Sequence, residues 1–207
     1  TGSITMAGQD SRAGLIGFTL THNYLSVIQG SPTIKWVTLR EKQENGFGAG
    51  LSVIESNVTL ENIKVVGYIG EGGVNIEDSR VIFQNAVIDS NTNNLDGGGI
   101  ASTRSFITLK DSKIMNNTST QTGGGIYSFN DSLFIIEDSF IDNNNREGII
   151  LKDLNSRASI LRTSISNNYG TGFWFSANNN DTLNVKESVL VGNVGSALRG
   201  GAIYFYC

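Results

Sequence analysis

Two copies of a glycine-rich stretch, Gly97-Gly98-Gly99-Ile100 and Gly123-Gly124-Gly125-Ile126, decide the fold of this chain. Each copy is followed by a strand pattern, a polar turn and a second strand pattern. An asparagine then closes each unit, Asn117 in the first and Asn144 in the second. A repeat of this length and content predicts one coil of a parallel β-helix.

Related motifs run along the chain and set the length of each coil. They place an apolar residue after one or more small residues at Leu51, Val74, Ile100, Ile126, Ile149, Phe173 and Ile203. Between these positions lie short runs with the two-residue period of strands. The density of Gly, Asn, Ser and Thr excludes long α-helices. The sequence therefore predicts an all-β solenoid with coils of roughly 23–30 residues.

Two apolar columns emerge when the second halves of the units are aligned. The first contains Leu60, Phe83, Leu109, Ile136, Ile160 and Val185, and the second contains Val65, Ile88, Ile114, Ile141, Ile165 and Leu190. Between them lies a small polar slot with Ser112, Ser139, Thr163 and Ser188. Stacked coils bring like positions to within about 4.8 Å, so we expect the apolar columns to fill the core.

An asparagine recurs three residues after the second apolar column. The positions are Asn91, Asn117, Asn144, Asn168 and Asn193, and the earlier unit has Tyr68 there. Asparagine side chains at a corner can bond to one another from coil to coil, or they can be separate exposed turn residues. Because five consecutive units keep the residue, we favour an internal asparagine ladder.

The composition narrows the classes of function. The net charge is −4 and only 16% of residues are charged, which argues against a nucleic-acid partner. No apolar run is long enough to span a membrane as a helix, and the sequence predicts no cofactor or metal. Residues 1–207 are predicted to form one β-helix domain, less regular over 1–47 and regular over 48–207. Neither end shows a polar cap, so we expect a fragment of a longer protein.

The repeats resemble those of polymorphic membrane proteins, the adhesin group of autotransporters. Gly200-Gly201-Ala202-Ile203 matches one repeat motif of that family, and Phe140-Ile141-Asp142-Asn143 matches the letters of the other. Ile16-Gly17-Phe18-Thr19-Leu20 resembles the wider right-handed, pectate-lyase-like group. The resemblance implies a right-handed parallel β-helix solenoid, which we predict to have about seven to eight coils. It also implies an extracellular or cell-surface setting.

One column resembles the calcium and base residues of β-helix lyases. It contains Asp111, Asp138 and Arg162, with Glu187 beyond. The alternative, which we favour, is that each aspartate stabilises a strand-to-strand turn and that Arg162 balances their charge. We therefore predict no catalytic residue. His22, the only histidine, is expected to be an ordinary turn residue.

The outward position after each glycine motif changes character along the chain. It is small or polar at Ser52, Asn75 and Ala101 and becomes apolar or aromatic at Tyr127, Ile150, Trp174 and Tyr204. An exposed stripe of the latter four residues predicts a protein interface or a platform for sugars. Alternatively, the long insert before Gly200 covers it.

Candidate N-glycosylation sites are Asn57, Asn130 and Asn180, which we expect at turns. The chain contains five sequons, at Asn57, Asn116, Asn117, Asn130 and Asn180, and chance alone gives roughly four in so Asn-rich a chain. The preferred function is a non-catalytic surface-exposed or assembly-forming protein, active in adhesion or as a structural scaffold. Its partner is expected to be a protein along one face or a cell-surface carbohydrate. The alternative functions are a polysaccharide lyase or glycoside hydrolase, and a trimeric tailspike with the aromatic stripe at the threefold contact.

Overall fold

The protein is a solenoid of short strands, seen in a computed structural model that describes residues 3–42, 48–130, 133–154, 157–177, 181–195 and 200–206. The strands are β1 Ile4–Ala7, β2 Gly14–Thr21, β3 Leu25–Ile28, β4 Thr33–Lys42, β5 Leu51–Ile54, β6 Asn57–Glu61, β7 Lys64–Gly70, β8 Val74–Glu77, β9 Arg80–Gln84, β10 Val87–Asp89, β11 Thr92–Asn93, β12 Ile100–Thr103, β13 Phe106–Lys110, β14 Lys113–Met115, β15 Thr118–Ser119, β16 Ile126–Phe129, β17 Leu133–Glu137, β18 Phe140–Asp142, β19 Ile149–Leu154, β20 Arg157–Leu161, β21 Ser164–Ser166, β22 Phe173–Ala177, β23 Thr182–Lys186, β24 Val189–Val191 and β25 Ile203–Tyr206.

Two long parallel sheets run the length of the solenoid. The first sheet has nine strands in the order β1-β3-β5-β8-β12-β16-β19-β22-β25, so each neighbour comes from the next coil. The second sheet has 16 strands, in which β4 joins the series β6-β9-β13-β17-β20-β23 to the series β7-β10-β14-β18-β21-β24, and β2, β11 and β15 branch from this path. The result is a right-handed parallel β-solenoid of about 7 turns, which confirms the predicted fold class. No helix among the described residues has the length and apolarity to cross a membrane.

The register between coils matches the columns read from the sequence. In the first sheet Ile100 pairs with Val74 on one side and Ile126 on the other. In the second sheet Ile114 pairs with Ile88 and Ile141. All four partners are fully buried, and burying an aliphatic side chain of this size contributes roughly 1.5–3 kcal/mol. The apolar columns therefore form one continuous core.

Each regular coil turns through left-handed corner residues that are not glycine. In one coil these are Arg104, Asp111 and Asn116, with φ of 51°, 49° and 56°. The corner side chains are exposed, and the buried residue that follows bonds to the next coil. Polar and charged residues can therefore occupy the corners without disturbing the core.

The predicted slot of small polar residues is present, and its hydroxyl groups form a hydrogen-bonded column. The backbone N–H of Ser112 donates to Oγ of Ser139 at 3.1 Å, and Oγ of Ser112 donates back to the carbonyl of Lys110 at 2.7 Å. A second serine column, which the sequence reading missed, connects Ser56 with Ser79 and Ser79 with Ser105. Each buried hydroxyl thus satisfies a backbone group at a corner.

The asparagine ladder is confirmed. Nδ2 of Asn117 donates to Oδ1 of Asn144 at 3.1 Å and to the carbonyl of Ile88 at 3.0 Å. Its Oδ1 accepts hydrogen bonds from both the backbone N–H and Nδ2 of Asn91. The same pattern continues through Asn168 to Asn193. Each interior amide therefore uses all of its donors and acceptors.

Tyr68 ends this ladder on the amino-terminal side, where the sequence has no asparagine. Its backbone N–H donates to Oδ1 of Asn91 at 3.0 Å, and its hydroxyl donates to the carbonyl of Asn23 at 2.5 Å. The side chain is almost completely buried. Burial raises the pKa of the Tyr68 phenol to about 12, because the charged phenolate loses its hydration.

The first coils depart from the regular pattern. Strand β4 runs without interruption from Thr33 to Lys42, where later coils have two separate strands. Its first part pairs with β6 and its second part with β7. Trp36 takes the corner position within it, with a φ of 55° and 62% of its surface exposed.

Candidate functional site

The outward column of the first sheet is the position that follows each glycine motif. Tyr127 pairs with Ala101 and Ile150, and Trp174 pairs with Ile150 and Tyr204. The coil-to-coil neighbours expected from the sequence are therefore confirmed. The rings of Trp174 and Tyr204 lie edge to face, with centroids 6.0 Å apart.

The stripe is less exposed than the sequence suggested. Ile150 points away from the core yet has no exposed surface, so the expectation of an exposed side chain there was wrong. Tyr127, Trp174 and Tyr204 are half-buried. In the column Ile150 lies between Tyr127 and Trp174. The insert that was expected to cover the stripe includes residues 196–199, which lie outside the described residues.

A ridge borders this column at the turns before Gly97 and Gly123, which are longer than the turns before Gly148 and Gly172. Strand β11 pairs with the end of β7 and with β15, which adds a short branch to the second sheet at this corner. Asn93 shapes the turn, because its Nδ2 donates to the carbonyl of Asp96 at 2.7 Å and its Oδ1 accepts the N–H of Leu95 at 2.8 Å. The turn therefore holds Leu95 and Asp96 at the rim of the column.

A cleft of about 280 Å³ lies between the ridge and the outward column. Its lining includes Glu71, Asn75, Leu95, Asp96, Thr103 and Tyr127. The shorter side chains of Asn75 and Ala101 form the floor of the cleft, and the larger Tyr127 side chain lies at one end. We call this the ridge cleft. Amide, hydroxyl, carboxylate and aromatic groups thus surround one open space on a rigid sheet.

Negative charge dominates the ridge cleft. Burial raises the pKa of the Tyr127 phenol, and the nearby carboxylates of Asp96 and Asp153 raise it further. One oxygen of Asp96 accepts hydrogen bonds from the N–H and the hydroxyl of Thr122, at 3.0 and 2.5 Å. The second oxygen and the Glu71 carboxylate receive no hydrogen bond from the described residues. At physiological pH the Tyr127 phenol is therefore uncharged and can donate a hydrogen bond. The carboxylates that line the cleft beside it have no cationic side chain in the lining.

The enzyme-like column is occupied by side chains that bond to one another. Arg162 donates to both carboxylate oxygens of Asp138, at 2.6 and 2.7 Å, and Asp111 accepts a hydrogen bond from Gln84 at 2.6 Å. Asp111, Asp138, Arg162 and Glu187 are corner residues with positive φ. Gln84 is the last residue of β9. The hydrogen bonds from Arg162 hold the pKa of the Asp138 carboxyl below its usual value. Arg162 thus balances the charge of Asp138, as we favoured, whereas its contacts do not extend to Asp111.

Neither His22 nor the acidic residues form a metal centre in the described part of the chain. His22 is an exposed corner residue with a φ of 60°, and its backbone N–H donates to the carbonyl of Arg40. No group of three or more His, Cys, Asp or Glu side chains among the described residues is arranged to hold a metal ion.

The three sequon residues differ in their surroundings. Asn57 is exposed and is the first residue of β6, not part of a turn as expected. Asn130 is a half-buried corner residue with a φ of 58°. Asn180 lies outside the described residues. Glycosylation at all three stays a prediction.

The sequence reading missed the two carboxylates of the ridge cleft. Glu71 directly precedes Gly72-Gly73, and Asp96 directly precedes Gly97-Gly98-Gly99. An acidic residue before the glycine motif in successive coils was the available signal.

Comparisons with known proteins agree with this architecture. A search of curated proteins found no match. The likeness to polymorphic membrane proteins therefore stays a prediction. The model of a family described as a right-handed beta helix region matches residues 45–206. Because that match covers most of the 207 residues, the chain belongs to the right-handed β-helix family.

Proposed function

We propose that this chain is a non-catalytic β-helix that acts outside the cell or at its surface, in adhesion or as a scaffold that displays a binding face. Its partner binds in the ridge cleft. The observation that carries the proposal is the cleft itself, which combines Asn75, Thr103 and Tyr127 on a fixed sheet. The extracellular setting rests on the resemblance to polymorphic membrane proteins.

The backbone beneath the cleft supports binding because it is already ordered. Gly99, which precedes the cleft strand β12, sits between coils with its N–H bonded to the next coil. The asparagine ladder on the adjoining corner leaves no interior amide unsatisfied. A pre-ordered site loses little conformational entropy when a ligand binds.

The chemistry of the lining favours a carbohydrate over a protein. Sugars bind through side-chain amides, hydroxyls and carboxylates together with an aromatic face, and the ridge cleft offers each of these groups. A protein interface of standard size needs about 800 Å² per partner with a largely apolar centre. The cleft lies beyond the apolar part of the outward column, because its floor at Asn75 is polar and only Tyr127 of the large apolar residues in that column lines it. We therefore propose a cell-surface carbohydrate as the partner.

The arrangement of corner carboxylates supports a non-catalytic role. General acid–base catalysis needs groups that reach one substrate. Asp138 has both oxygens engaged by Arg162, and Asp111 is engaged by Gln84 on a different coil. Arg162 neutralises the charge of Asp138, and the Gln84 amide occupies one oxygen of Asp111.

Binding to a panel of surface polysaccharides and oligosaccharides tests the proposal. We suggest Asn75→Trp as the variant that fills the cleft, because the same column already carries Tyr127 and Trp174. Asn57→Trp is its matched control on the second sheet, where the column already carries Phe106. We expect Asn75→Trp to weaken binding at least about tenfold, a loss of roughly 1.4 kcal/mol. The control should bind like the unchanged chain.

Incubation with the same panel tests the absence of turnover. We expect no new reducing ends and no unsaturated products absorbing in the ultraviolet. Equal loss of binding in both tryptophan variants, or product formation by the unchanged chain, would contradict the proposal.

One observation favours the runner-up function, a glycoside hydrolase. Glu71 and Asp96 line the same cleft, and most glycosidases use two carboxylates on either side of the scissile bond. If the chain releases reducing ends, Glu71→Gln and Asp96→Asn should each abolish the release. Glu55→Gln, which changes an exposed corner carboxylate elsewhere, should leave it unchanged.

A further inference from the structure

The ridge cleft carries negative charge with no cation in its lining. All six ion pairs among the described residues lie outside its lining. Its lining contains the carboxylates of Glu71 and Asp96 and no cationic side chain. The Asp153 carboxylate adds to the negative potential at Tyr127. A ligand entering the cleft therefore meets uncompensated negative charge.

The shape of the cleft favours an organic ligand over a metal ion. Calcium needs six to eight oxygen ligands that converge within about 2.6 Å of one point. The described residues contain no group of three carboxylate, His or Cys side chains arranged in that way. An open space of about 280 Å³ beside a phenol ring instead has the size of a small ligand pocket.

The sheet under the cleft disfavours an extended peptide. Peptides that bind to sheets usually add a strand at a free edge and form main-chain hydrogen bonds. Strand β12 is paired on both sides, with β8 and with β16. A ligand above it must bond to side chains, as the hydroxyl groups of a sugar do.

We propose that Glu71 and Asp96 act as a charge filter in the ridge cleft. Glycans with free amines bind best, neutral glycans bind less well, and uronic acid or sulfated glycans are rejected. The inference rests on the proposed carbohydrate partner and specifies its chemical class. Asn75 and Thr103 contact hydroxyl groups of the bound sugar, and Tyr127 contacts its ring.

The filter has a consequence for the lyase alternative. Polysaccharide lyases remove a proton next to the carboxylate of a uronic acid, so their substrates are anionic. A cleft that repels carboxylates cannot hold such a chain in place. The charge filter and pectate-type lyase activity therefore exclude one another at this site.

Three oligomers with one backbone test the filter. We suggest β-1,4-linked tetramers of glucosamine, glucose and glucuronic acid, titrated against the unchanged chain by calorimetry at low salt. We expect the glucosamine tetramer to bind at least about tenfold more tightly than the glucuronic acid tetramer, since a single charge pair near a protein surface can supply that difference. Added salt should reduce the preference, because these charges are partly exposed to solvent.

A double variant, Glu71→Gln with Asp96→Asn, tests the two residues directly. We expect it to lose most of the preference for glucosamine and to gain affinity for the glucuronic acid tetramer. Glu55→Gln is the control, because it removes an exposed carboxylate outside the cleft lining. It should keep the original order of affinities.

The outcomes separate this inference from the proposed function. Equal binding of the three tetramers, with loss of binding in Asn75→Trp, overturns the charge filter and leaves carbohydrate binding in the cleft intact. Tighter binding of the glucuronic acid tetramer, or failure of the glucosamine tetramer to bind, also overturns the filter. Should the double variant misfold, the titrations of the unchanged chain still decide the matter.

Discussion

The asparagine ladder and the outward column of the first sheet repeat with the same spacing, but the ladder requires one residue type and the outward column does not. In the ladder, Asn91, Asn117 and Asn144 keep one residue type because each side chain completes the hydrogen bonds of the next coil. In the outward column, Asn75, Ala101 and Tyr127 share register but no chemistry. The backbone repeat thus constrains the inside of the solenoid and leaves the outside free to acquire a function.

The sharpest test of this contrast uses asparagine in both places. Asn117→Ala leaves the N–H and Nδ2 of Asn91 without their acceptor and the carbonyl of Ile88 without a donor. Because each buried unsatisfied group costs about 1–3 kcal/mol, we expect a loss of at least about 3 kcal/mol in the free energy of unfolding. Asn75→Ala should cost less than about 0.5 kcal/mol. Urea denaturation followed by circular dichroism measures both. Similar losses for the two variants would refute the contrast.

A second test concerns the space between coils at the glycine motif. A Cβ atom at Gly99 would lie 2.6 Å from the carbonyl oxygen of Gly125 and 2.9 Å from Nδ2 of Asn117. Because the first contact is with backbone, the coils must separate, and we expect Gly99→Ala to cost about 1–3 kcal/mol. The midpoint of urea denaturation gives the value. An unchanged midpoint would show that the coils can separate here without cost.

The tyrosine that ends the ladder predicts sensitivity to alkali. Burial raises the pKa of the Tyr68 phenol from 10.0 to about 12 in the folded chain. The folded state therefore holds this proton more strongly than the unfolded state does, so its stabilising effect is complete below pH 10.0 and is lost as the pH rises towards about 12. Tyr68→Phe should reduce the loss of stability with rising pH, although it also removes the hydrogen bond to the carbonyl of Asn23. The melting temperature of both proteins across this pH range provides the measurement. An equal decrease in melting temperature in both proteins would contradict the prediction.

The smallest effect is expected at the exposed corners. The hydrogen bonds from Arg162 lower the folded-state pKa of the Asp138 carboxyl. Its stabilising effect is therefore present above the ordinary pKa of 3.8 and is lost as the pH falls through the lowered value. Asp138→Asn should remove this acid dependence and leave stability at neutral pH almost unchanged, because exposed ion pairs contribute little. Proton titration by NMR checks the direction of the pKa shift.

The inside of the fold was predictable because its rules are local and repetitive. Apolar residues with a period of two, glycines before Ile100 and Ile126, and an asparagine at a constant offset each follow from one coil resting on the next. The ladder needed only the assumption that five equivalent residues lie above one another. Even the replacement of asparagine by Tyr68 was visible as a break in the column.

The outside was less predictable because it depends on the sizes of neighbouring side chains and on turn length. An alternating pattern gives the direction of the Ile150 side chain but not what surrounds it, so its burial could not be predicted. The ridge cleft exists because β11 and β15 lengthen one corner, and it is that turn which sets Asp96 beside the floor at Asn75. In the first coils, β4 continues through a corner, so a repeat length could not be read there.

The left-handed corner residues affect how many coils must fold together. A residue other than glycine in this conformation costs roughly 1–2 kcal/mol, and one coil contains three, at Arg104, Asp111 and Asn116. A lone coil has no partner for the backbone groups that offset this strain. Neighbouring coils must therefore order together, and the folding unit of this protein is a stack of several coils.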